Sequence, residues 1–103
     1  MSNLETALAN LKQEIYDDEL IKEYFRVRDL VLKNEELKEL KQQINDLQVK
    51  LSLNMANPEL HATYKREYEQ LLNKYNLHPL ISNFTILQSE VHDFLQNIAD
   101  LLE

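Results

Sequence analysis

No position in this 103-residue chain is a glycine. Glycine is the residue for which positive φ costs least. Its absence removes tight primed hairpins, glycine-rich phosphate loops and nucleophile elbows from the structures within reach. Helix is what remains. The chain is rich in Leu, Glu, Lys and Gln and has only two prolines, a composition that favours helix throughout. At 44% hydrophobic and 28% charged, it can build a core and still wet its surface. Its length suits one domain over residues 1–103.

Apolar spacing divides the sequence into five helical segments, each with its own start signal. The first runs from about Asn3 to Ile15. Ser2 and Glu5 have capping-box spacing, and Leu4, Leu8, Leu11 and Ile15 form one stripe. The second follows Asp17 and Asp18, acids suited to a helix N-terminus, and reaches about Lys33. Asn34 caps a third helix to about Leu53, in which Leu37, Leu40, Ile44, Leu47 and Leu51 repeat at heptad-like intervals. Val49 and Leu53 lie off that seam. Asn57-Pro58 reads as N-cap then proline at N1, opening a fourth helix to about Tyr75 with Leu60, Tyr64, Tyr68, Leu71 and Tyr75 on one face. His78-Pro79 repeats that logic and opens a last helix to about Leu102. The expected fold is all-α: a five-helix antiparallel bundle with a long C-terminal helix.

The last helix says most about function. At 100° per residue its apolar side chains fall within an arc of about 160°, with only Ile86 outside. Such an arc is wider than one neighbouring helix covers. A rod of this length, about 39 Å, also exceeds the ~13 Å radius of gyration of a compact domain this size. An apolar arc that outruns its own bundle calls for a partner. The expected protein-binding residues are Phe84, Leu87, Val91, Phe94, Leu95 and Ile98 on the last helix, with Val49 and Leu53 on the third. A homodimer or higher oligomer is the expected state.

Catalytic chemistry finds little to work with. There is no cysteine, which excludes disulfides, thiolate nucleophiles and cysteine-held zinc or iron–sulfur centres. His61, His78 and His92 match no metal-binding spacing, and His78 reads as a cap. The paired acids at Asp17-Asp18-Glu19, Glu35-Glu36 and Glu67/Glu69 sit at helix starts and on polar faces, where the helix dipole and solvent account for them. No catalytic residue, cofactor or metal is expected. The net charge of −7 disfavours nucleic acid and anionic membranes. Lys22, Arg26 and Lys33 share one face of the second helix and read as a solvated face. All 11 basic residues lie between Lys12 and Lys74, so the stretch from residue 75 onward carries acids only. No secretory signal or membrane span stands out, so the expected compartment is the cytoplasm, and the sequon at Asn83-Phe84-Thr85 reads as chance.

Several runs are similar to one known family. His78-Pro79-Leu80-Ile81-Ser82-Asn83-Phe84 and Leu87-Gln88-Ser89-Glu90-Val91-His92-Asp93-Phe94-Leu95, followed by Ile98-Ala99, resemble the last helix of the YlbF/YmcA (Com_YlbF) group of small bacterial regulators. Upstream, Leu20-Ile21 with Tyr24, and then Asn34-Glu35-Glu36-Leu37, resemble its second helix and the turn that follows. The resemblance implies a cytoplasmic helical regulator that assembles with itself or with paralogous regulators. Members of that family are linked to competence, sporulation and biofilm control, and to transcript processing by the endoribonuclease RNase Y. Some members hold an iron–sulfur cluster through cysteines, a property that a cysteine-free chain does not inherit. The rivals to a non-enzymatic adaptor are a self-assembling scaffold without a client, an RNA-binding module and, last, an enzyme.

Overall fold

The computed structural model describes residues 2–103 and contains five helices: α1 (Asn3–Asp17), α2 (Glu19–Lys33), α3 (Glu35–Leu53), α4 (Pro58–Asn76) and α5 (Pro79–Leu102). No strand occurs among the described residues. The all-α class expected from the sequence is observed, and α5, at 24 residues or about 36 Å, is the longest element.

Side chains set each helix start. Ser2 accepts the Glu5 N–H at 3.1 Å, Asn34 accepts that of Leu37 at 2.9 Å, and Asn57 accepts that of Leu60 at 3.2 Å. Asp18 Oδ1 takes the Leu20 N–H at 2.8 Å. His78 Nδ1 takes that of Leu80 at 3.1 Å, so this ring does the work of an Asn cap. With Nδ1 accepting, the neutral ring carries its proton on Nε2, which lies 3.5 Å from Glu36. Helix α1 runs two residues past the boundary expected from its stripe. The break falls where Asp18 turns extended, and Gln13 bonds Asp17 across that last turn at 3.1 Å.

The chain clusters into two compact units, residues 1–29 with 83–103, and residues 30–82. The unit of residues 30–82 is built on an antiparallel hairpin of α3 and α4. Rising numbers on α3 meet falling numbers on α4: Gln48 donates to the Tyr68 hydroxyl at 3.4 Å, and the Lys50 ammonium lies 5.5 Å from the Tyr64 ring centroid. The heptad-like seam is its core. Leu37, Leu40, Ile44 and Leu47 are buried and Leu51 is half-buried. Leu37, Leu40 and Ile81 pack together, with Val31, Leu71, Tyr75 and Leu80 around them. Each buried leucine or isoleucine contributes about 1.5–3 kcal/mol by transfer from water. Tyr64, Tyr68 and Tyr75 are half-buried along α4, with bodies on the core side and Tyr68's hydroxyl bonded at the rim.

In the unit of residues 1–29 with 83–103, Ile21, Val27 and Leu87 are buried, Val27 to 1% exposure. An aromatic run joins α2 to α5. Tyr24 stacks on Phe84 with centroids 5.4 Å apart and meets Phe25 edge-on, and Phe25 stacks on Tyr16 at 6.4 Å. Such pairs add about 0.5–1.5 kcal/mol beyond area burial. Helix α1 buries no residue at all: Leu4 and Leu8 are exposed, and Leu11 and Ile15 are half-buried. Its stripe is present but poorly covered.

Two substitutions measure these layers by thermal unfolding followed by circular dichroism. Asn34→Ala removes the α3 cap and is expected to cost about 1 kcal/mol, lowering Tm by roughly 4–8 °C. Leu40→Ala opens the seam and is expected to cost about 2–5 kcal/mol. Equal effects for the two would show that the seam is not the core.

Candidate functional site

The residues expected to bind protein fall into two groups, one in each unit. On α3, Val49 and Leu53 are 57% and 78% exposed, off the buried seam as their spacing requires. Near them Met55 and Leu60 are also exposed, so the α3–α4 tip carries an apolar patch. On α5, Leu87 is buried by its own chain, Phe84, Val91, Phe94 and Ile98 are half-buried, and Leu95 is exposed. Leu87 therefore serves as core in this conformation, and Phe84 spends one face on Tyr24. Ile86, the residue outside the arc, is exposed, and so are Leu101 and Leu102 at the far end of the arc.

Poor coverage of α1 leaves a cleft of about 500 Å³ in the unit of residues 1–29 with 83–103. Leu8, Leu11, Lys12, Ile15 and Tyr16 supply one wall from α1. Ile21, Tyr24 and Phe25 supply the second from α2, and Val91 and Leu95 the third from α5. Among the described lining residues Lys12 is the only ionisable group besides the two tyrosines, and its ammonium lies 6.0 Å from the Tyr16 ring centroid. Single-sequence reasoning missed this cleft. The Leu8, Leu11 and Ile15 stripe was visible, but nothing local shows that a stripe will be left half open.

Several charged groups elsewhere are paired within their own helices. Arg26 binds Glu23 through Nε at 2.9 Å and through a second nitrogen. That hydrogen bond, with the mutual charge, holds the Glu23 carboxyl below its ordinary range and the Arg26 guanidinium above its own. Lys22 lies 3.7 Å from Glu19. The basic face of α2 is thus interleaved with acids, which weakens it as a phosphate-binding strip. His92 is exposed beside Asp93 at 3.5 Å, and His78 is occupied as a cap. Among the described residues no three His, Cys, Asp or Glu side chains converge as a metal site would need, and no helix is long and apolar enough to cross a membrane.

A family model described as control of competence regulator ComK, YlbF/YmcA, matches residues 4–103. The chain belongs to the Com_YlbF family. The match spans all five helices, including the α5 runs that carry the resemblance in the sequence. The family's description makes regulation its role. Comparisons with curated proteins and with solved structures returned no significant match.

A Com_YlbF chain without cysteine is expected to purify colourless. After dialysis against a weak chelator, elemental analysis should find well under one iron or zinc per chain. About one metal per chain would contradict that expectation.

Proposed function

We propose that this protein is a non-enzymatic cytoplasmic adaptor that regulates through protein–protein contacts. It assembles with itself and with paralogous Com_YlbF regulators, and it serves RNase Y in processing particular transcripts. The observation that carries the reading is the unfinished burial of α5. Leu95, Leu101 and Leu102 stay exposed, and Val91, Phe94 and Ile98 are only half-buried, in a helix that bears acids and no lysine or arginine. Apolar surface of this kind, rimmed by polar residues, marks an interaction site. Val49 and Leu53 form a second candidate contact on α3. The short connections, at most the four residues Asn54–Asn57, support reading residues 1–103 as a single helical domain.

Two measurements test the reading. Crosslinking pulldown from a Gram-positive lysate should return RNase Y or a paralogous regulator in stoichiometric amount. Return of the bait alone would leave a scaffold without a client. Light scattering over a micromolar concentration series should give at least twice the 12.3 kDa chain mass, and a constant monomer mass would end the self-assembly part. Phe94→Asp should lower the assembled mass while helicity persists, since truncating a buried aromatic anchor costs about 2–4 kcal/mol at an interface. Loss of mass and helicity together would make Phe94 core.

A further inference from the structure

We infer that the α1–α2–α5 cleft is filled by the C-terminal turn of α5 from a second copy of this chain. Leu101 and Leu102 would enter the cleft, and Asp100 and Glu103 would meet Lys12. The inference rests on the self-assembly proposed above and names its contact.

Three observations fit cleft and plug together. The first is apolar match. The cleft of about 500 Å³ is walled by aliphatic and aromatic side chains, while Leu101 and Leu102 stand 86% and 67% exposed on the chain that carries them. Leu8, Phe25 and Leu95 on the walls are themselves exposed, so both surfaces lack cover. The second is charge. Lys12 is the only cationic residue lining the cleft, no carboxylate lines it, and no ion pair to Lys12 occurs among the described residues. Acids flank the two leucines, and residues 75–103 contain no lysine or arginine that would repel Lys12.

The third is register. Leu101 lies six residues beyond Leu95, about 9 Å along the helix axis. Two α5 helices that cross antiparallel about a two-fold axis near Ile98 bring each copy's Leu101 and Leu102 against the other's Val91 and Leu95. Those two residues are the α5 wall of the cleft. One axis therefore fills both clefts at once, and the exchange closes as a dimer instead of running on as a fibre. A cleft that is incomplete alone becomes a packed core when the copies pair.

The test uses the full chain. Mixed isotope-labelled and unlabelled copies are treated with a zero-length carbodiimide, and peptides joining Lys12 to Asp100 or Glu103 are expected between copies. Light scattering then compares variants. Leu101→Asp with Leu102→Asp changes only exposed side chains, so helicity should persist while self-association weakens by about a hundredfold. Lys12→Glu should weaken it by about tenfold or more through like-charge contact. Adding Asp100→Lys and Glu103→Lys to Lys12→Glu should restore most of the loss. A wild-type oligomer whose mass the leucine variant leaves unchanged would overturn the plug while leaving self-assembly standing. Crosslinks from Lys12 only within its own copy, or only to a foreign chain, would also overturn it. A wild-type chain that is monomeric throughout would end both the plug and the self-assembly it rests on.

Discussion

Helix starts in this molecule hang on single side-chain hydrogen bonds. A chain with no glycine cannot stop a helix cheaply with a left-handed residue, and no described residue has positive φ. The backbone is instead extended at Ser2, Asp18, Asn34 and Asn57, and each helix is opened by a side-chain cap. Ser2, Asp18, Asn34, Asn57 and His78 do this with distances of 2.8 to 3.2 Å. The packing of every helix depends on those positions. A cap displaced by one residue would rotate the following stripe by about 100° and turn its apolar face from the core.

The caps explain why so much of the fold could be read from one sequence. Asn34, Asn57-Pro58 and His78-Pro79 are strong local signals, and the helix boundaries fell within two residues of those they imply. The α3 seam was equally legible, because Leu37, Leu40, Ile44 and Leu47 hold a strict period and that period decides burial. Periodicity specifies a face but not its cover. The stripe of α1 reads as well as that of α3, yet α1 buries nothing while α3 buries four residues. Within the α5 arc, no spacing rule separates Leu87, which its own chain buries, from Leu95, which it leaves exposed. The cleft was invisible for the same reason. Its walls come from residues 8–16, 21–25 and 91–95, and only the three-dimensional arrangement brings them together.

In this chain of the regulatory Com_YlbF family the burial of apolar surface is incomplete. Tyr24 and Phe84 hold α2 to α5 by stacking, and Ile21, Val27 and Leu87 form the buried centre of the same unit. Around the centre, half-buried and exposed apolar residues remain on α1 and α5. Charge adds direction, since α5 carries acids and no lysine or arginine, and Lys12 is the one cation among the described residues that line the cleft.

Chain connectivity separates the two units in time. The α3–α4 hairpin brings Gln48 to Tyr68 over twenty residues, closing on a connection of four. The Tyr24–Phe84 stack joins residues sixty apart, with that hairpin between them. Loop-closure entropy and contact order place the hairpin first, and with it closed the ends of the chain have a shorter effective loop to span. Before α5 docks on α2, Tyr24 lacks its stacking partner Phe84, so the apolar face of α2 is most open to misassociation in that interval.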